Sequence, residues 1–217
     1  MWRNHLKRLI EKWRNDQSLP DDKSKEIEKK QEFGLYFNYN HWLNSSDESM
    51  YCAEVLIEKL KSIMDKKTPD SSLILTIDSP KEITILVGLL ENIHMLIGFA
   101  LENALKAYSI FQYLKEEQEL DYPDFKFLEE KVWKVKDGHN ITQIAENIIP
   151  NLKLEEKELI EEMEIHIKWK GKYHMPKKTS IIKEMMNKGR NQKYSMDVLE
   201  KATTFIEKIK ENMKFNP

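Results

Sequence analysis

The densest run of side chains that could do chemistry lies between residues 168 and 193. It holds nine lysine or arginine residues and one acid, Glu184. Rings and an imidazole are interleaved with them: Trp169, Tyr173, His174 and Tyr194. Cations attract phosphates and rings stack on bases, so this composition is typical of a nucleic-acid surface. The alternative is a solvated face, or a partner for the acidic stretch 155–164, which has six Glu and one Lys.

Six side chains of this basic segment are our candidates for contact with RNA or a nucleotide. Lysine and arginine would contact phosphate, while the tyrosine and the histidine could stack or donate hydrogen bonds. The six are Lys172, Tyr173, His174, Lys177, Lys178 and Arg190.

Motifs for other chemistry are missing from the sequence. It contains no glycine-rich phosphate loop, no His-Glu-x-x-His and no Cys/His cluster. Glu162 and His166 have the i, i+4 spacing of a helical pair, which is more often a surface pair than a metal site. His94 is expected to be a hydrogen-bonded core residue, and His139 to fix a helix junction. We therefore expect no metal, no cofactor and no catalytic residue among these groups.

Composition favours a helical protein without disulfides. The chain has 217 residues, 40% of them hydrophobic and 33% charged, with only six glycines and seven prolines for turns. A lone cysteine, Cys52, cannot form an internal disulfide and is expected to be a small buried residue. The beginning of the sequence lacks the apolar core of a secretory signal, and a cytoplasmic location is expected.

Apolar periodicity predicts an all-α bundle of about six to eight helices. Ser79-Pro80 begins a long central helix that runs to about residue 117, and residues 83–101 are apolar nearly all round. This stretch is long enough to cross a bilayer, but polar residues at its middle favour a buried core helix. The other predicted features are a capping box at Ser45–Glu48, an extended stretch at 73–77, and helices at 125–137, 141–149, 159–170, 181–186 and 195–209.

The first residues are predicted to form a separate element. Residues 2–14 are amphipathic and basic on their polar face, and residues 15–31 are polar without an apolar stripe. We therefore divide the chain into an N-terminal helix with linker, 1–31, and a bundle, 32–217. The helix could pack on its own bundle, dock on a partner or a second copy of the chain, or lie on an anionic membrane.

Three segments together resemble the HEPN superfamily (higher eukaryotes and prokaryotes nucleotide-binding). They are ALENALKA at 100–107, GHNI at 138–141 and WKGKYHMP at 169–176. The resemblance implies a helical bundle, often dimeric, that acts on or binds RNA or nucleotides in bacterial or phage defence or toxin–antitoxin systems. It also singles out three interior polar candidates: Glu102, Lys106 and His139.

Ribonuclease members of that superfamily carry Arg-x(4–6)-His, in which arginine holds phosphate and histidine transfers protons. Arg190 begins such a pattern here, but Ser195, Met196 and Asp197 occupy the positions of the histidine. The resemblance therefore implies a binding protein without ribonuclease activity. The second hypothesis is a protein-interaction subunit of an oligomeric complex with no nucleic-acid role.

Overall fold

The computed structural model describes Gly34 and residues 36–65, 80–116, 125–170 and 197–214. Within these ranges the chain is an all-α bundle without strands, as the sequence predicts. Its elements are α1 (Tyr39–Asp65), α2 (Pro80–Glu116), α3 (Phe125–Phe127) running into a π-helix (Leu128–Trp133), α4 (Ile141–Ile148), α5 (Leu154–Lys170) and α6 (Asp197–Asn212). The predicted features at 2–14, 73–77 and 181–186 lie outside the described residues.

The central helix α2 begins at Pro80 and contacts α1, α4, α5, α6 and the π-helix. Its middle is fully buried and rich in small side chains, which let neighbouring helices approach closely. Ser46 of α1 uses this closeness, because its hydroxyl donates to the carbonyl oxygen of Ala100 over 2.8 Å. By length and composition alone, residues 85–115 could also cross a membrane.

Helix α1 starts at Tyr39, so the predicted helix start at the Ser45–Glu48 capping box was wrong. The helix begins earlier because aromatic residues before Ser45 pack on other parts of the bundle. A capping box is a local pattern and does not include such contacts. The ring of Tyr39 packs edge-on against Phe111 with centroids 5.5 Å apart. Ser45 therefore lies inside the helix, where its carbonyl accepts a hydrogen bond from the hydroxyl of Ser49.

Cys52 is exposed, contrary to the expectation that it is buried. Helix α1 turns Ala53, Ile57 and Leu60 toward the core. Successive residues of an α-helix differ in direction by about 100°, so the position before Ala53 faces away from that core.

The segment after Pro123 ends earlier than the predicted stop at Gly138. One helical turn passes into the π-helix, which closes at Lys134 in the left-handed conformation with φ 55°. Val132 and Trp133 of this segment are both buried.

Helices α4, α5 and α6 pack on α2 close to the positions that apolar periodicity predicts, but α5 begins earlier than predicted, at Leu154. Ion pairs between side chains link neighbouring helices: Lys157–Glu146 (α5 to α4, 2.5 Å), Lys208–Glu156 (α6 to α5, 2.6 Å) and Lys210–Asp47 (α6 to α1, 2.7 Å). These pairs are partly exposed, so the apolar core contributes most of the stability.

Candidate functional site: a buried charge cluster beside the His139 turn

A carboxylate and an ammonium group lie buried on the inner face of α2. Glu102 and Lys106 are one helical turn apart, and Lys106 Nζ donates to Glu102 Oε1 over 2.5 Å. Their side chains are only 6% and 5% exposed. Charges held this far from water need partners on every side, because desolvating each one costs several kcal/mol.

Two indole rings supply further contacts for the ammonium group of Lys106. Its Nζ lies 4.5 Å from the ring centre of Trp133 and 5.3 Å from that of Trp42. The two rings meet edge to face at 5.6 Å. The negative faces of the rings attract the cation, so the two tryptophans and Glu102 together stabilise it.

His139 completes the cluster from the turn between the π-helix and α4. Its Nδ1 lies 3.0 Å from Glu102 Oε2, and its side chain is 31% exposed. The turn is fixed locally, because Asp137 Oδ1 accepts the backbone N–H of His139. Gly138 lies next to the cluster, since a Cβ at that position would be 3.4 Å from Lys106 Nζ, an ordinary van der Waals contact. We name Glu102, Lys106 and His139 the charge cluster.

The ionisation of Glu102 determines which nitrogen of His139 carries the proton. Burial alone would raise the pKa of the Glu102 carboxyl, but the hydrogen bond from His139 and the charge of Lys106 outweigh it and lower that pKa. An ionised carboxylate only accepts hydrogen bonds, so Nδ1 of His139 carries a proton. Nε2, on the other side of the ring, is the nitrogen available to a ligand.

The π-helix is the element that positions Trp133. Asn147 of α4 donates to the carbonyl oxygen of Trp133 over 3.1 Å, which ties the end of the π-helix to the next helix. The indole Nε1 of Trp133 is buried and makes no hydrogen bond within the described ranges. Strained turns and π-helical segments concentrate at functional sites, and here both border the charge cluster.

Glu164 connects the first turn of α4 to the end of α5. Its Oε2 accepts the backbone N–H of Thr142 in the first turn of α4 over 2.8 Å, and its Oε1 accepts from Lys168 over 2.5 Å. Lys168 is the first residue of the basic segment. The His139 turn and the start of that segment are therefore joined through one carboxylate.

The six predicted nucleic-acid contacts, which lie between residues 172 and 190, are outside the described residues. Of the nine basic residues, Lys168 is the one whose side chain is described, and it pairs with the acidic helix as the alternative interpretation expects. The three interior candidates lie together: Glu102 contacts both Lys106 and His139. Glu102 and His139 are 37 residues apart in sequence, and the packing of the turn on α2 brings them together.

Two other histidines, His94 and His166, are buried in the core. His94 donates from Nδ1 to the carbonyl oxygen of Leu90 over 2.7 Å, consistent with a hydrogen-bonded core residue. His166 is only 3% exposed, so the expectation that it forms a surface pair with Glu162 was wrong. Its ring lies in the core, 4.9 Å from that of His94. In the part of the chain that is described, no three His, Cys, Asp or Glu side chains come together as a metal site.

Sequence reasoning missed the two tryptophans that contact Lys106. It also missed three lysines that flank one of these tryptophans in sequence. Trp42 and Trp133 are distant in sequence, and no spacing rule joins them. The lysines are Lys131, Lys134 and Lys136, all exposed. Their alternation with apolar residues in KVWKVK was the available signal.

Comparison of the chain with family models, with curated proteins and with solved structures gave no match.

Proposed function

We propose that this chain is a HEPN-like helical protein that binds RNA or a nucleotide without cleaving it, in a bacterial or phage defence or toxin–antitoxin context. The observation that carries the proposal is the imidazole of His139, which Glu102 holds in one orientation at a partly exposed edge of the bundle. The resemblance to HEPN proteins supplies the biological context.

The orientation of His139 suits recognition of a ribonucleotide. With its proton on Nδ1, the neutral ring can accept a hydrogen bond at Nε2 from a ribose hydroxyl or a base N–H. When protonated, the same nitrogen can donate to a phosphate oxygen. The 2′-hydroxyl is the group by which proteins distinguish RNA from DNA. Glu102 lowers the entropy lost on binding because it fixes the ring beforehand.

The contact made by Lys168, the first residue of the basic segment, supports the same proposal. Glu164 bridges Thr142, three residues after His139, and Lys168, where the segment begins. Eight more lysine or arginine residues follow Lys168 up to residue 193. They would add phosphate contacts of the kind that dominates affinity for nucleic acids.

Binding without cleavage is proposed because the proton-transfer groups of the ribonuclease motif are incomplete. Ser195, Met196 and Asp197 follow Arg190 where that motif has histidine. Lys106 is buried against Glu102 and two indoles, which places it behind His139 as a supporting group.

Salt dependence tests this function directly. The affinity of the purified full chain for a fluorescein-labelled single-stranded RNA is measured by anisotropy from 25 to 300 mM NaCl, on the order of the range over which phosphate contacts weaken. We expect affinity to fall steeply with salt, and K172E/K177E/K178E to abolish it while the circular dichroism spectrum stays unchanged. Absence of binding by the wild type at the lowest salt overturns the proposal.

A protein-interaction subunit is the second candidate, and exposed apolar side chains favour it. Tyr51 and Val55 on α1 are 67% and 45% exposed, and Ile85 and Val87 on α2 are 47% and 39% exposed. Apolar side chains grouped at a surface are typical of protein interfaces. Sedimentation velocity of the wild type, of Y51E/V55E and of the chain lacking residues 1–16 tests this candidate. A complex that survives both changes rules out these two surfaces as its interface.

A further inference from the structure

Three exposed lysines follow one another at the end of the π-helix. Lys131, Lys134 and Lys136 lie within six residues, and all are exposed. No ion pair neutralises any of them within the described residues, whereas the nearby Lys126 pairs with Glu130 at 3.5 Å. We name Lys131, Lys134 and Lys136 the lysine strip.

The backbone beneath the lysine strip is held by buried neighbours. Val132, Trp133 and Val135 alternate with the lysines and are at most 5% exposed. Lys134 adopts φ 55°, a conformation that costs a non-glycine residue about 1 kcal/mol or more. The backbone N–H groups of Lys134 and Val135 both point to the carbonyl oxygen of Glu129, which closes the turn. The backbone that carries the three lysines is therefore held in place.

Within the described residues, the carboxylates closest to the strip in sequence do not pair with its lysines. Glu130 pairs with Lys126, and Asp137 accepts the backbone N–H of His139. An Oε1 atom of Glu129 lies close to Gly138, where a Cβ would be 3.4 Å away.

We infer that the lysine strip, together with His139, is a binding surface for the phosphodiester backbone of single-stranded RNA. The inference rests on the proposed function and gives it a location in the described part of the bundle. Lys136 lies three residues before His139 in the chain, and the inference is that a strand whose phosphates contact the lysines also meets the imidazole. Phe125, 38% exposed and packed on Trp133 at 5.5 Å, offers a ring edge for a base.

RNA fits this surface better than an anionic membrane does. Membrane-surface segments insert apolar side chains between their cations. Here the apolar residues between the lysines are turned into the core. The strip therefore presents positive charge but no apolar side chains that could insert into a membrane. Such a surface suits a hydrated phosphate backbone.

A charge-reversal pair with a matched control tests the inference. K134E/K136E is compared with K59E/K61E, which changes the same charge at the same spacing on exposed positions of α1. Affinity of the full chain for the labelled single-stranded RNA is measured across the salt series, and circular dichroism checks the fold. We expect K134E/K136E to weaken binding at least about tenfold and to reduce the salt slope by about 1.4, the value for two phosphate contacts to a single strand. Adding K131E should reduce the slope further, and K59E/K61E should leave it unchanged.

Four results would overturn the inference. The first three leave the proposed function in place, and the fourth removes both. If the wild type binds RNA and K134E/K136E binds equally well, the strip is not the surface. Equal losses in the strip and control variants would show only a long-range charge effect. If the strip variants lose binding to vesicles containing phosphatidylserine but keep RNA binding, the surface belongs to a membrane. A wild type that binds no RNA removes the proposed function together with the inference.

Discussion

Gly98 of α2 lies directly against Ile167 of α5. A Cβ at Gly98 would be 2.7 Å from Ile167 Cγ1 and 3.2 Å from the carbonyl oxygen of Met163. Ile167 is 2% exposed and cannot move outward without opening the core. The absence of a side chain at Gly98 therefore sets the distance between the central helix and the helix that leads to the basic segment.

Replacing Gly98 with alanine should destabilise the chain. Overpacking at this contact costs about 1–3 kcal/mol, which exceeds the gain of about 1 kcal/mol from alanine's helix propensity. Gly88→Ala is the matched control, since no heavy atom lies within 4 Å of its added Cβ. Urea unfolding should show a lower midpoint for Gly98→Ala and an equal or higher one for Gly88→Ala. Equal shifts in both variants would contradict the close packing of α2 on α5.

The charge cluster predicts strong coupling between Glu102 and Lys106. Glu102→Gln leaves a buried ammonium without its counter-charge and should cost about 3–5 kcal/mol. Lys106→Met should cost less, because Glu102 keeps the hydrogen bond from His139. The double variant should be more stable than the sum of the single changes by about 1–3 kcal/mol. Free energies of unfolding from urea titrations measure this, and strict additivity would argue against a direct pair.

Stability should fall in acid through Glu102. Its pKa is lowered below the ordinary value of 4.5 in the folded chain, so the unfolded state binds more protons as pH drops. The contribution is fully present above about pH 4.5 and is lost as pH falls through the lowered pKa. The difference in unfolding free energy between wild type and Glu102→Gln should therefore shrink between pH 6 and about pH 3. A difference that stays constant over this range would mean that Glu102 titrates normally.

Ionisation of Glu162 should have the opposite effect on stability to that of Glu102. Burial raises its pKa, the charge of Asp197 adds to this, and Lys201 only partly opposes it. The folded state therefore holds its proton more tightly, and ionisation at neutral pH weakens the fold. Glu162→Gln should raise the melting temperature at pH 7 and have no such effect at pH 4. Glu158→Gln, at an exposed position of the same helix, serves as the control.

Most helix positions could be predicted because buried side chains repeat at helical spacing. The stripe Val198, Ala202, Phe205, Ile206 and Ile209 in α6 is such a case, and all five are buried. The start of α1 could not, because the contact of Tyr39 with Phe111 joins residues far apart in sequence. Periodicity also misses the π-helix, whose turn differs from 3.6 residues.

The charge cluster depends even more on tertiary packing. Glu102 and Lys106 share a helix face by spacing, but nothing in the spacing brings His139 to them. Those three residues were singled out through the HEPN resemblance. The indoles of Trp42 and Trp133 were not, since a cation held between two rings leaves no periodic trace in the sequence.

Two substitutions of His139 separate a role in binding from a role in folding. Asparagine can donate from its amide to Glu102 Oε2 much as Nδ1 does, but it has nothing at the position of Nε2. Glutamine reaches toward the position of Nε2 but leaves the buried Glu102 oxygen without its donor. His139→Asn should thus keep the unfolding free energy within about 1 kcal/mol of the wild type, and His139→Gln should lose about 1–3 kcal/mol.

RNA binding should rank these two variants in the opposite order, so that His139→Gln binds RNA more tightly than His139→Asn. Loss of one hydrogen bond at Nε2 should weaken the affinity of His139→Asn for RNA about tenfold and reduce its preference for RNA over DNA of the same sequence. Anisotropy with both labelled strands measures this, and K59E/K61E shows the effect of a distant change. If His139→Asn binds RNA like the wild type but unfolds more easily, the imidazole supports the bundle and contacts no ligand.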